Sequence, residues 1–287
     1  MLIDNRDDVC GSEFAAWQTR NDSRIQGVTM FRSNLTNCLV MLISMVSVGA
    51  SAQAGEDFLA QLETKKESAA AEGAFVEEFD GDELSSQWQP VNPLADSFIV
   101  EDGALLVVSG AFGTLGDDTI ANLFKSTLTP PEGDWSASIR VTLEAQTGKE
   151  EFYLLIHDDA QHYVGVGLYT WFECCGYNAV ANVVAVKRSG DQNVKFDRRV
   201  WTSETASSVF SESARSMPSF LLRLEKRGHS FYPAIRLEGP GDAGWIELER
   251  LVALRAKGRI AFALRQYEEV KGESIATIDW VRVEPLP

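Results

Sequence analysis

The chain is poor in the residues that build metal and redox centres. Its 287 residues include four cysteines and three histidines. No Cys-x-x-Cys or Cys/His run has the spacing of a zinc site. Cys10 and Cys38 lie near the start, and Cys174-Cys175 are adjacent. Neighbouring Cα atoms across a trans peptide are about 3.8 Å apart, below the usual disulfide separation. The adjacent pair is therefore either two free thiols or a strained vicinal bridge, and no disulfide framework is defined. No Gly-x-Ser-x-Gly elbow supports serine-hydrolase chemistry. Helical patterns are few, and there is no internal repeat or low-complexity tract. Basic residues are scarce too: 26 Lys and Arg against 42 Asp and Glu give a formal charge of −16. Such a chain repels nucleic acid and anionic membrane surfaces.

Long apolar runs are also missing. The mostly apolar stretch Leu35–Ala50 is shorter than the roughly 20 residues a membrane span needs. It follows Met30-Phe31-Arg32-Ser33-Asn34 and precedes Ala52-Gln53-Ala54, the pattern of a signal peptide over residues 30–54 with cleavage before Gly55. A short membrane anchor is the competing reading. No lipobox-like residue precedes Cys38. Residues 1–29 are polar and patternless and read as an upstream start assigned too early. The expected product is secreted or periplasmic, with no stable membrane insertion after cleavage. Residues 1–54 hold four of the basic and five of the acidic residues, so the remainder carries 22 and 37, a formal charge of −15. Residues 55–73 read as a linker or short helix, and 74–287 as one domain.

That domain is dominated by alternation. Trp135, Ala137, Ile139, Val141 and Leu143 share one face of a strand, and Ser136, Ser138, Arg140, Thr142 and Glu144 the other. Strands are predicted at 98–101 and 104–109 around the hairpin signal Asp102-Gly103. Others are predicted at 152–157, 162–168, 183–188, 220–226, 231–238, 260–266 and 274–283. Short strands at such spacing predict an all-β fold of two packed antiparallel sheets.

Candidate sites follow from the same alternation. Along Tyr163–Trp171, Val164, Val166 and Leu168 take one face. Tyr163, Gly165, Gly167, Tyr169 and Trp171 take the other, two glycines between aromatics, where a ligand ring could approach. Tyr and Trp stack on sugar C–H groups while their polar tips hydrogen-bond. Tyr177 lies in the adjoining aromatic segment. Packing of this face under a loop or a second sheet is the alternative. Arg223, Arg236 and Arg265 occupy polar faces of later strands, with Tyr232 and Tyr267 on the same alternation. If those strands neighbour the aromatic one, the face suits an acidic sugar or other carboxylate. Ordinary solvated arginines are the simpler reading. Asp158-Asp159 is the obvious carboxylate pair, and a hairpin tip explains it. His157 and His162 flank the same turn and could approach each other.

The motif Phe79-Asp80-Gly81-Asp82-Glu83-Leu84, then Trp88, then Val100-Glu101-Asp102-Gly103-Ala104-Leu105, resembles the opening of concanavalin A-like lectin/glucanase domains. Pro130-Pro131-Glu132-Gly133-Asp134-Trp135 and its alternating strand are similar to the C-terminal β-sandwich of family 43 β-xylosidases, as is the hairpin 155–163. The closing Ile278-Asp279-Trp280-Val281-Arg282-Val283 resembles the last strand of family 16 glucanases. The resemblance covers most of residues 76–284 and implies a concanavalin A-like jelly-roll sandwich linked to carbohydrate. The Glu-x-Asp-x-(x)-Glu catalytic strand of family 16 has no counterpart between Lys125 and Arg265, so glucanase activity is not implied. The Phe-Asp-Gly opening also resembles the keto-disaccharide hydrolase group. The family 16 pattern further implies a structural Ca²⁺, held here by backbone oxygens at Glu78 and Gly103 and by the Asp279 carboxylate, a donor set that suits a hard cation. The expected function is carbohydrate binding without cleavage by an exported protein. The alternatives are a glycoside hydrolase and a protein-interaction domain without a sugar site.

Overall fold

The alternation of Trp135–Glu144 is realised residue for residue: its odd-numbered positions are buried and its even-numbered positions are partly or fully exposed. In the computed structural model, residues 73–109, 113–117, 119–172, 179–203, 217–239, 244–254, 256–268 and 272–287 are described. The strands are β1 (Phe75–Glu77), β2 (Trp88–Val91), β3 (Phe98–Glu101), β4 (Ala104–Ser109), β5 (Leu123–Ser126), β6 (Trp135–Glu144), β7 (Glu150–Asp159) and β8 (His162–Phe172). They continue as β9 (Ala179–Ser189), β10 (Gln192–Thr202), β11 (Phe220–Arg227), β12 (Ser230–Leu237), β13 (Ile246–Glu247), β14 (Leu251–Val252), β15 (Arg259–Gln266) and β16 (Ser274–Pro285). Among the described residues the only helical element is a 3-10 turn at Leu115–Asp117, and no helix is long and apolar enough to cross a membrane.

The strands form two antiparallel sheets, as the alternation predicted. A large sheet of nine strands runs β13-β12-β11-β6-β16-β4-β3, with β1 on β16 and β14 on β12. A small sheet of seven runs β10-β9-β8-β7-β15-β5-β2. Asp102 and Gly103 both adopt positive φ, at 52° and 74°, which the two-residue hairpin between β3 and β4 requires.

Between the sheets lies the main core. The large sheet contributes Ile139, Val141, Leu222 and Ile278, and the small sheet Leu154, Val166, Val183 and Phe262. Phe124 stacks on Phe262 at 5.0 Å, and Trp88 meets Phe262 edge-on at 4.8 Å. Glu150 is fully buried among these apolar side chains. It persists as a carboxylate because Ser274 of the large sheet and Thr170 of the small sheet both donate to it, as do Thr147 Oγ1 and the amides of Gln146, Thr147 and Lys149. Burial alone would raise its pKa. The donors from Ser274, Thr170 and Thr147 outweigh that and hold it below the usual carboxylate range.

Candidate functional site

The period that puts Val164, Val166 and Leu168 into the core turns Tyr163, Gly165, Gly167, Tyr169 and Trp171 to the outer face of the small sheet. Strand register fixes their neighbours there. From β10 through β9, β8 and β7 to β15, one row reads Arg199, Asn182, Tyr169, Glu151, Arg265, and the next Asp197, Val184, Gly167, Tyr153, Ala263. Then come Lys195, Val186, Gly165, Leu155, Ala261, and finally Asn193, Arg188, Tyr163, His157, Arg259.

The two glycines do not leave the open floor that the sequence suggested. Tyr153 lies opposite Gly167 and Leu155 opposite Gly165. A Cβ on Gly167 would meet the Tyr153 ring at 2.5 Å, and one on Gly165 would meet Leu155 Cδ2 at 2.6 Å. The glycines make room for β7 side chains to lie across the sheet. Leu115 and Ile120, from the connection between β4 and β5, pack on this surface with Tyr153, Leu155, Val184, Ala261 and Ala263. Part of the face is therefore a second apolar cluster under a loop.

At one border of this cluster Arg265 and Glu151 form an ion pair, with side chains only 13% and 4% exposed. Arg265 Nη1 also donates to the Gly113 carbonyl, and its Nε has no acceptor among the described residues. Lys195 Nζ stands 3.7 Å from Glu151 Oε1. Burial would lower the Arg265 pKa, but the Glu151 charge and the Tyr153 phenol together raise it. Burial, aided by Glu151, pushes the Tyr153 phenol well above its ordinary value, and burial raises Tyr163 against the opposing pull of Arg188.

Tyr169 and Trp171 form a stacked pair, with centroids 5.6 Å apart, and Tyr267 meets Tyr169 edge-on at 6.4 Å. Lys195 Nζ lies 4.8 Å from the Tyr169 centroid and Arg199 5.3 Å from that of Trp171. The Tyr169 hydroxyl donates to Asp197 at 2.6 Å and accepts from Asn182 at 2.9 Å. Burial and then Asp197 push that phenol above its ordinary range. The shelf thus carries cations against its rings.

Beside the covering turn lies a cavity of about 270 Å³, bounded by Thr114, Leu115, Gly116, Tyr153, Tyr163, Val186, Arg188, Asn193, Lys195 and Arg265. A larger cleft of about 480 Å³ is lined by Asp197, Arg198, Glu247, Leu248 and Glu249. It has no aromatic wall and contains none of the residues the sequence singled out, so the smaller cavity is the candidate site.

Arg265 joins the aromatic strand as the sequence reading required, and so does Tyr267. Arg223 and Arg236 do not. They lie on β11 and β12 of the large sheet, opposite in alternation to the core residues Leu222, Leu224 and Ile235, and so face outward on the other side of the sandwich. Alternation assigns a face of a strand but not the sheet to which the strand belongs. Tyr232 shares their side. Tyr177 and Cys174-Cys175 lie outside the described residues.

The register brings Glu78, Gly103 and Asp279 to one region. Along one edge of β16, β4 pairs as far as Ile278 and β1 begins at Val281, so Asp279 sits at the break between them, in a bulge relative to β6. Its carboxylate is 32% exposed and ion-paired with Arg140, which also holds Glu238 at 2.8 Å. A guanidinium on the carboxylate competes with any cation there. Among the described residues no three His, Cys, Asp or Glu side chains gather as a metal set.

The hairpin tip explains the acidic pair: Asp159 accepts from the Gln161 amide and contacts His162 Nδ1 at 3.0 Å. His157 instead stacks on Tyr163 at 6.2 Å, so the two histidines do not meet. Sequence reasoning missed Tyr153, Arg188, Asn193 and Lys195. Arg188 and Tyr153 could have been found by continuing the alternation of β9 and β7. Lys195 and Asn193 stand on β10, where Arg198 interrupts the alternation of Val194, Phe196 and Val200.

No protein-family model matches the chain, and no curated protein matches it. Solved structures do. A xylan β-1,4-xylosidase from Bacillus halodurans is 13% identical, with a TM-score of 0.54 over 73% of this chain and 38% of that one. The Bacteroides ovatus xyloglucan-locus protein GH43B is 14% identical, with a TM-score of 0.54 over 74% and 39%. The GH43 protein BlXynB from Bacillus licheniformis is 16% identical, with a TM-score of 0.52 over 74% and 39%. The chain therefore spans about two fifths of the length of each. At these identities the likeness is one of fold, and the chain shares the concanavalin-like β-sandwich that forms the C-terminal domain of family 43 xylosidases and arabinofuranosidases.

Proposed function

We propose that this is an exported carbohydrate-binding protein, and that it holds a sugar unit in the cavity on the outer face of the small sheet without cleaving it. The observation that carries this reading is the cavity itself. It joins two tyrosine side chains to polar and charged groups beside the turn that covers the apolar part of the face. At about 270 Å³ it is slightly smaller than the roughly 300–1,000 Å³ of most small-molecule pockets, a size for one sugar ring rather than a chain. The glycoside-hydrolase fold likeness is consistent with a sugar ligand.

The geometry favours binding over hydrolysis. Hydrolysis needs two carboxylates about 5–9.5 Å apart across the bond, one as acid and one as base or nucleophile. Among the described residues no carboxylate lines the cavity. Glu151, under its edge, is held by Arg265 and Lys195, and Asp197 by the Tyr169 hydroxyl and Asn182. A glycan array probed with the purified protein, beside an assay for reducing-sugar release, tests the reading. Glycan binding without release is expected. Release of reducing sugar identifies a hydrolase, and an empty array favours a protein-interaction domain. Asn193 is exposed on β10 at the cavity wall, so Asn193→Trp should block the site with little cost to the fold. Recovery of native protein beginning near Gly55 tests export.

A further inference from the structure

We propose that the cavity selects a sugar bearing a carboxylate, a single uronate unit on an otherwise neutral saccharide. This rests on the carbohydrate reading above and specifies its ligand class.

The first ground is a local charge that opposes that of the chain. The protein carries −16 formally, yet among the described residues Arg188, Lys195 and Arg265 line the cavity and no carboxylate does. Among the described residues the nearby carboxylates are each hydrogen-bonded or ion-paired. Glu151 is shared by Arg265 and Lys195. Asp117 accepts from the hydroxyls of Thr114 and Thr119, both at 2.6 Å. Asp197 is bound by Tyr169 and Asn182. Glu151 is ion-paired with two of the three cations, Asp117 and Asp197 keep their charge under neutral donors, and Arg188 has no carboxylate within 4.0 Å among the described residues.

The second ground is the state of Arg188. Its guanidinium makes long contacts, 3.4 Å each, to the carbonyls of Gly116 and Gly190, and also interacts with the Tyr163 phenol. Arginines on the large sheet behave differently: Arg140, Arg223, Arg227 and Arg282 each have a carboxylate within 4.0 Å. Among the described residues Arg188 thus has weak neutral partners and no carboxylate, and carboxylate is the anion its fork matches bidentately. Lys195, exposed on β10, supplies a second, mobile charge. Tyr163 and Tyr153 border the cavity, with side chains otherwise buried in the apolar cluster.

The third ground limits the ligand to one charge. A strongly acidic body repels a polyanion, while a lone carboxylate is drawn by the nearby cations across distances shorter than the screening length of about 8–10 Å. Polyuronates are therefore disfavoured, and a terminal uronate on a neutral chain is favoured.

The test is titration calorimetry on the full protein with disaccharides ending in glucuronate or galacturonate, their methyl esters, the matching neutral disaccharides and a sulfated disaccharide. The expected result is that esterifying or removing the carboxylate weakens binding at least tenfold. Arg188→Gln and Lys195→Gln should each remove most of that preference, Arg188→Lys should restore part of it, and Asn193→Trp should abolish binding of every sugar. Lys195 is solvent-exposed, so its variant remains informative if the Arg188 variant misfolds. Equal binding of acid and ester, or a preference for neutral sugars, overturns the uronate proposal and leaves the carbohydrate reading standing. Preference for the sulfated sugar overturns the carboxylate assignment. No binding of any sugar, on this panel or on the array, overturns both.

Discussion

The two outer faces of the sandwich are made from the same residue types and organised in opposite ways. On the large sheet, Arg140 is shared by Glu238 and Asp279, Arg223 lies between Glu225 and Glu247 and over Trp245, and Arg282 lies over Trp280 near Glu78. These pairs are partly solvated and locally balanced. On the small sheet part of the floor is apolar, one ion pair is buried, and among the described residues Arg188 has no carboxylate partner. A balanced face keeps a sheet soluble. A face that leaves a cation without a carboxylate beside a cavity is suited to an anionic ligand.

The largest effect that separates the faces should come from Glu151→Ala. It strands Arg265, a cation only 13% exposed, and breaking a buried pair from one side costs about 3–5 kcal/mol. Urea melts of this variant and wild type check it. A loss below 1 kcal/mol would show that water reaches the pair and that the two faces are alike.

Acid should act next, through the interior. Glu150 has a folded pKa below the ordinary 4.5, so the unfolded chain binds more protons than the native state as pH falls through that range. Its stabilising contribution is complete above about pH 4.5 and is lost as pH drops through the folded value. Glu150→Gln should lower stability by roughly 1–3 kcal/mol at pH 7, because buried donors lose their acceptor. It should also flatten the acid limb of a stability-against-pH curve. An unchanged acid limb would assign acid sensitivity to other groups.

Surface pairs of the large sheet should matter less. Arg223 is 21% exposed and its partners Glu225 and Glu247 are 13% and 69% exposed, so the set is more solvated than Arg265–Glu151, and solvated pairs contribute about 0–1 kcal/mol. Arg223→Ala should therefore shift the urea midpoint little and leave glycan binding intact. A drop comparable to that of Glu151→Ala would erase the contrast between faces.

Calcium should give the smallest effect. We retain as a proposal an ion at the break between β4 and β1, held by backbone oxygens of Glu78 and Gly103 and by Asp279. Since Arg140 already neutralises that carboxylate, the ion should add under about 1 kcal/mol, or less than about 4 °C in melting temperature. Differential scanning fluorimetry with EDTA and with added Ca²⁺ checks it. Melting indifferent to both removes the ion, and a shift that survives Asp279→Ala places it elsewhere.

The sandwich was legible because its central strands are wet on one side or end in turns of fixed chemistry. Trp135–Glu144 alternates over its full length, and Asp102-Gly103 marks a hairpin whose flanking strands fall where predicted. β10 was not legible. It is an edge strand, largely exposed, and Arg198 interrupts the alternation of its Val194, Phe196 and Val200. That strand supplies one wall of the cavity. The glycines of β8 were legible as positions of close approach, but what approaches them comes from β7, and only register shows that. The arginines were assigned to one surface because each stood on a polar face. The pairing of β11 with β6, and of β15 with β7, separates Arg223 and Arg236 from Arg265.

The central claim is that the ligand face is the outer face of the small sheet. Glycan-array binding by a matched pair of variants, Asn193→Trp at the cavity and Trp280→Ala on the large sheet, tests it most directly. The account predicts that the first variant loses glycan binding and the second keeps it, with both melting as wild type does. Binding that survives Asn193→Trp and disappears with Trp280→Ala would contradict it.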